Sequence, residues 1–197
     1  MILVLGQGEE APVTPTRPPY TPTASAEEDE GNSIETWEYL DGVYTGETKD
    51  GMRSGQGVME FENGDQYDGG WENDAMSGTG QFTWANGDVY TGDFVDNVRS
   101  GSGVMAYSNG DRYEGEYAEN IKSGTGTYTW ANGDSYTGDW ADNVREGQGV
   151  MTYINGDEYT GDWVADKRSG DGVMVYANGE IDEGRWYEDR FMGRIID

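Results

Sequence analysis

The sequence predicts an all-β protein, an elongated, single-layered, twisted antiparallel meander of about six to seven 23-residue β-hairpin repeats behind a disordered or extended N-terminal tail. Three observations lead there. A Tyr-x-Gly-x-aromatic element recurs every 23 residues, at Tyr44, Tyr67, Tyr90, Tyr113, Tyr136 and Tyr159, with Thr48 the one exception at the aromatic position. An aromatic followed by Asn-Gly closes each unit, as in Phe61, Asn63 and Gly64, and Asn-Gly is a strong hairpin-turn signal. Hydrophobic residues make up only 34% of the chain, whereas aromatics reach 13% and there are 32 glycines. That balance suits a thin, aromatic-lined sheet better than a thick two-layer core.

The first segment, residues 1–33, differs in kind from the rest. All five prolines lie between Pro12 and Pro22, followed by "SAEEDEGN", a composition that favours an extended, solvated linker. "TPTRPPYTP" also has the form of a polyproline ligand, with the linker reading preferred. The start, "MILVLGQGEE", carries five apolar residues and no preceding basic region, too little for a secretory signal or a membrane span. An intracellular location is expected, whether cytoplasmic, cytoskeletal or organellar, and a trimmed targeting remnant is the minor alternative.

The array is expected over 34–197, opening on an irregular strand in "IETWEYLDG" and running in units from about 41, 64, 87, 110, 133 and 156. A partial seventh unit from 179 carries Asp182 at the Tyr position, a departure expected of a terminal cap. Within a unit, "Y-x-G-x-W" and "G-x-G-x-(M/F/Y)-x-aromatic" alternate with period two and predict two strands. Loop length then decides which face each side chain takes. A three-residue loop, Glu62 to Gly64 with Gly64 left-handed, pairs Met59 with Tyr67 and Gly57 with Gly69, and only odd loops give one apolar face. A turn from Glu72 to Ser77 pairs Trp71 with Gly78, Gly69 with Gly80 and Tyr67 with Phe82. Three rows then cross the sheet: an aromatic and Met row, a glycine row, and a row alternating Trp with Gly, each ring filling the space that a neighbouring glycine leaves. With strands ~4.8 Å apart, six units extend roughly 55–60 Å, and strand twist bends the ribbon into a trough.

The stretch "YTGDW…GQGVMTYINGDEYTGDW", Tyr136 to Trp163, resembles the membrane occupation and recognition nexus (MORN) repeat. The resemblance covers Asp41 to about Gly193 and implies antiparallel hairpins, one per unit, joined in a single-layered sheet. It also implies a non-catalytic scaffold, because such repeats mostly serve as scaffolds in larger assemblies. Members often carry a basic cluster before the Gly-x-Gly pair, to which phosphoinositide binding is ascribed. Here one basic residue stands there in each unit, Arg53, Arg99, Lys122, Arg145 and Arg168, with Met76 interrupting the series. These five are the candidate residues for an alternative role as a peripheral module binding anionic lipid headgroups, a role that the nearby acids Asp96, Glu119, Asp142 and Asp166 disfavour.

Composition removes several function classes. A formal charge of −27 argues against nucleic acid and anionic membranes and favours a basic partner surface. The absence of Cys and His removes thiolate sites, the usual zinc ligands and the common nucleophile and base pairs. Asp65, Asp88, Asp111, Asp134 and Asp157 occupy the same turn position in successive units, unlike the asymmetric carboxylate pair of a glycosidase, and their spacing matches neither a helix-loop-helix calcium loop nor a nonapeptide calcium roll. No enzyme activity, cofactor or metal is expected. The preferred site is the aromatic face, where Tyr67, Trp71, Tyr90, Phe94, Tyr113, Tyr136, Trp140, Tyr159 and Trp163 are the candidate contacts for a protein partner. A polysaccharide is the lesser ligand, and the chain is expected to be a subunit of a larger assembly or a homo-oligomer.

Overall fold

The computed structural model describes residues 34–194, so the expected tail over 1–33 lies outside the described residues. It holds β1 (Ile34–Tyr39), β2 (Gly42–Lys49), β3 (Met52–Phe61), β4 (Gln66–Glu72), β5 (Ala75–Thr83), β6 (Val89–Val95), β7 (Val98–Ala106) and β8 (Arg112–Ala118). These are followed by β9 (Ile121–Thr129), β10 (Ser135–Ala141), β11 (Val144–Thr152), β12 (Glu158–Val164), β13 (Lys167–Val175), β14 (Ile181–Tyr187) and β15 (Arg190–Gly193). All fifteen form one sheet in chain order, each strand antiparallel to its neighbours, with β1 and β15 at the two edges. The meander is open, as the repeat pattern predicts.

Two kinds of hairpin alternate along it. At the Asn-Gly-Asp turns, Phe61 N–H donates to Asp65 O at 2.9 Å, Gly64 N–H donates to Phe61 O at 3.0 Å, and Gly64 has φ +91°. That is the expected three-residue loop, and it sets Met59 opposite Tyr67 and Gly57 opposite Gly69. The opposite turns differ from expectation. Asn73 and Asp74 have φ of 50° and 69°, a pair of left-handed residues that closes a tight two-residue hairpin. Gly69 still faces Gly80 and Tyr67 still faces Phe82, but Trp71 faces Met76 and not Gly78. The short turn leaves surplus residues on β5, which the chain absorbs in a bulge between the Gly69 and Trp71 registers, and Gly78 turns left-handed there (φ +72°). Trp71 meets its glycine on the other side, opposite Gly55 in β3.

A bulge removes amides from the ladder, and acids on the outer face cap them. Ser102 N–H donates to Asp93 Oδ2 at 2.9 Å, Thr125 N–H to Glu116 Oε1 at 3.1 Å and Gln148 N–H to Asp139 Oδ2 at 2.8 Å. The acid that follows Tyr-x-Gly in most units, as at Asp93, Glu116 and Asp139, is therefore partly a requirement of the backbone, although Gly70 stands there in the second unit.

The core lies on one face of the sheet. Each repeat tyrosine lies across the paired glycines, so that a Cβ built on Gly57 would overlap the Tyr44 ring. The hydroxyls turn back to the chain, as where Tyr67 Oη donates to Gly70 O at 3.0 Å, and the indoles do likewise, as where Trp71 Nε1 donates to Gly57 O at 3.0 Å. Rings meet edge to face along the array: Tyr44 and Tyr67 flank Trp71 with centroids at 5.3 and 5.2 Å, and Tyr136 and Tyr159 flank Trp163 at 5.1 and 5.5 Å. Such geometry satisfies the ring quadrupoles and gives a one-layer sheet an interior of its own.

Candidate docking face

The face that carries the core is stacked in tiers, and the tiers decide what a partner can touch. The lowest tier holds the nine aromatics expected as contacts. Tyr67, Tyr90, Tyr113, Tyr136 and Tyr159 are fully buried, and Trp71, Phe94, Trp140 and Trp163 are at most 7% exposed. These nine rings are interior, not the outward contacts expected: the five tyrosines fill the hollows over paired glycines, and Trp71, Phe94, Trp140 and Trp163 each stand edge to face between two tyrosines.

The second tier is made by the five basic residues that are the candidates for anionic lipid. The Arg53 guanidinium carbon sits 4.3 Å from the Trp71 ring centroid, that of Arg145 4.4 Å from Trp163 and that of Arg168 4.6 Å from Trp186. Lys122 Nζ lies 5.2 Å from the Tyr128 ring and 5.8 Å from Trp140. Arg53 and Arg99 are 2% and 1% exposed. The four arginine side chains are also tied to the next tight turn, where Lys122 contributes its backbone N–H to Asn143 Oδ1 at 2.9 Å. Arg53 Nη2 donates to Asp74 O at 2.9 Å, Arg145 Nε meets Asp166 Oδ1 at 3.0 Å, Arg168 Nε meets Asp189 Oδ1 at 3.1 Å, and Arg99 Nε donates to Asn120 Oδ1 at 3.2 Å. The five residues expected to meet anionic headgroups are thus engaged within the fold, as a column of cations stacked on rings with its arginines tied to turns. Met76, which interrupts the series, is buried at the same place.

The outermost ring tier consists of Phe61, Trp84, Tyr107, Trp130, Tyr153 and Tyr176, all partly buried against the core. Phe61 is the last residue of β3, and the other five lie one residue past the ends of β5, β7, β9, β11 and β13, each two residues before the Asn of its Asn-Gly turn. The 23-residue spacing marked this position in the sequence, but there it signified the closing of a hairpin. Its exposure depends on the Tyr and Met side chains beneath, which the repeat pattern alone does not rank.

Beside this ring row run the turn acids. Asp65 Oδ1 accepts from Ala85 N–H at 2.8 Å, and its Oδ2 accepts from Asn63 Nδ2 at 2.8 Å. The same bond recurs from Asp88 to Ser108, Asp111 to Ala131, Asp134 to Ile154 and Asp157 to Ala177. Each carboxylate therefore joins its own turn to the turn of the next unit. Desolvation pulls the Asp111 carboxyl upward, but hydrogen bonds from the Tyr128 hydroxyl at 2.7 Å, Ala131 N–H and Asn109 hold it below the usual carboxylate range. Glu116, fully exposed, is also held low, by the N–H and hydroxyl of Thr125. Buried tyrosines move the other way: desolvation pushes Tyr90 and Tyr159 up to about 12. Among the described residues, no group of three or more acids is placed to hold a metal ion.

The family description "MORN repeat" matches six consecutive segments, residues 44–66, 67–89, 90–112, 113–135, 136–158 and 159–181. No curated protein matches the sequence. Among solved structures, the SAS-4 (dCPAP) TCP domain of Drosophila melanogaster, in complex with a proline-rich motif of Ana2 (dSTIL), is 19% identical with a TM-score of 0.49, over 86% of this chain and 95% of that one. The TCP10c domain of Drosophila melanogaster Sas-4 is 17% identical with a TM-score of 0.45, over 80% and 96%. The TCP10 domain of Danio rerio CPAP, in complex with a peptide of Danio rerio STIL, is 12% identical with a TM-score of 0.26, over 81% and 82%.

Proposed function

This chain belongs to the MORN-repeat family, and from that premise we propose that it is a non-catalytic scaffold or accessory subunit that docks protein partners on its aromatic face within a larger assembly. The observation that carries this reading is the row Phe61, Trp84, Tyr107, Trp130, Tyr153 and Tyr176, six partly exposed rings in register on a face that, among the described residues, no second layer covers. Exposed aromatic surface of this extent favours association, and successive rings two strands apart stand ~10 Å from one another. A partner meets repeated, similar footholds along the sheet.

The net charge of −27 and the acids beside the row select a basic partner surface and speed its encounter at low salt. Residues 34–197 form the docking array in this reading, and the Pro-rich, acidic residues 1–33 are its linker. The test is crosslinking mass spectrometry of the native complex, with affinity capture by the wild type and by a Trp84→Ser, Trp130→Ser double variant. Crosslinks along the ring row and at least a tenfold loss of capture are expected. Undiminished capture by a folded double variant sinks the reading.

A further inference from the structure

The array does not end as it repeats. From the third unit to the sixth, the residue nine places after the repeat tyrosine is a cation, Arg99, Lys122, Arg145 and Arg168, laid on aromatic rings. In the seventh unit Phe191 holds that place and contacts the Trp186 ring at 5.3 Å. Asp182 replaces the repeat tyrosine there and accepts from the Tyr176 hydroxyl at 2.9 Å. The ring pattern around Arg168 also changes. Arg99, Lys122 and Arg145 each stack against the ring that closes their preceding unit, Trp84, Tyr107 and Trp130. Arg168 stacks on Tyr159 and Trp186, while the corresponding Tyr153 stands along a cleft of about 380 Å³.

Tyr153, Tyr176, Trp186 and Phe191 give this cleft four aromatic walls over Met174. Its charged lining is Asp157, Asp189 and Arg168, two carboxylates against one guanidinium, a net of −1 at neutral pH. Arg168 is already committed to Asp189, through Nε to Oδ1 and Nη2 to the backbone oxygen, both at 3.1 Å. Electron-rich ring faces beside a surplus carboxylate are the surroundings in which this chain places its own Arg and Lys side chains, and they attract a cation from outside by the same physics. An acidic group would meet both the surplus carboxylate and the field of a −27 chain.

We propose that the C-terminal cleft is an anchor site for a single Arg or Lys side chain of a basic protein segment. The proposal deepens the docking-face reading and rests on it: the cleft fixes where along the ring row a partner's basic end is seated. Phe191 is what allows this, because a cation at that position would oppose an incoming one.

The test titrates the full chain with acetyl-Gly-Arg-Gly-Arg-Gly-amide and with the same peptide carrying citrulline for arginine, a neutral side chain of nearly the same shape, while NMR follows the Trp indole and Tyr signals. Shifts centred on Tyr153, Tyr176 and Trp186 are expected, with the citrulline peptide weaker by about tenfold or more. Phe191→Arg, which gives the seventh unit the residue type of its neighbours, should weaken the arginine peptide to a similar degree. Tyr176→Leu keeps apolar bulk but removes a ring face, and should do the same if Phe191→Arg fails to fold. Equal binding of the two peptides, or binding indifferent to both variants, overturns the cleft. Shifts confined to Trp84 and Trp130 also overturn it but leave the docking face standing, whereas native crosslinks that avoid the ring row defeat the docking face itself.

Discussion

Replacing Gly115 by Ala puts one methyl group into the glycine row at the middle of the sheet. Gly115 faces Gly126 across β8 and β9, and its φ is one that any residue adopts, so the substitution introduces no backbone strain of its own. The new Cβ meets Tyr113 Oη at 2.5 Å, Gly126 Cα at 2.6 Å and Thr125 O at 2.7 Å, about 1 Å inside ordinary contact. Two of these three atoms are backbone and cannot rotate away. The third belongs to a fully buried ring whose hydroxyl donates to Glu116 O at 3.2 Å and whose edges meet Tyr117 and Trp140, each with centroids 5.3 Å away. Overpacking costs about 1–3 kcal/mol and displacing the Tyr113 hydrogen bond about 1 kcal/mol more, so roughly 3 kcal/mol is expected. Hydrogen exchange is the suitable assay, because openings in a repeat array are local. At 1.4 kcal/mol per decade, amide protection in β8 and β9 should fall about 100-fold, with little change in β3 or β13. Glu114→Ala, one residue away on the outer face, should alter protection by no more than about threefold. Protection in β8 and β9 unchanged by Gly115→Ala would refute the placement of the tyrosine over the glycines.

Asp111→Asn should destabilise the array by about 1–2 kcal/mol, because Oδ1 accepts from Ala131 and Oδ2 from Asn109 and Tyr128, so an amide sets a donor against a donor; thermal unfolding measures it, and an unchanged Tm argues against the turn-to-turn tie. The same carboxylate is held below its ordinary value of 3.8, so its contribution is full above that pH and disappears as pH falls through the lower folded value. The tyrosines give the opposite sign. Tyr90 and Tyr159 are raised from 10.0 to about 12, so the folded state holds these protons more tightly than the unfolded chain. Their contribution is complete below pH 10 and is lost as pH rises through 12, so the urea midpoint should hold steady up to pH 10 and then fall as tyrosinate absorbance appears.

The two turns of the repeat were unequally legible. The Asn-Gly-Asp hairpin could be read to the residue, because a left-handed glycine and the demand for one apolar face leave only an odd loop. The tight turn at Asn73 and Asp74 was not legible. Its left-handed pair has no glycine, and its surplus residues vanish into a bulge that depends on backbone geometry, not on side-chain pattern. The site shows a similar divide. That Tyr, Trp and the ring before Asn-Gly share a face follows from period-two alternation. Which of them remains at the surface depends on volume: tyrosine sinks because glycine lies beneath it, and arginine, long enough to reach back over the rings, covers what remains.

Both rows of ties between successive turns span a constant distance in sequence. Asp65 reaches the amide of residue 85, and Arg53 receives its cap from residue 74, as Arg145 does from residue 166. Every unit thus holds the unit after it and no other, so length is the one property of this architecture that its own bonding leaves free. Removing or adding 23 residues shifts each later contact by one whole period and restores the same bonds. The sheet is in effect a ruler whose graduation is two strands, ~10 Å. A partner reading several rings at once reads a distance, which the chain can change in whole steps while every joint stays as it was.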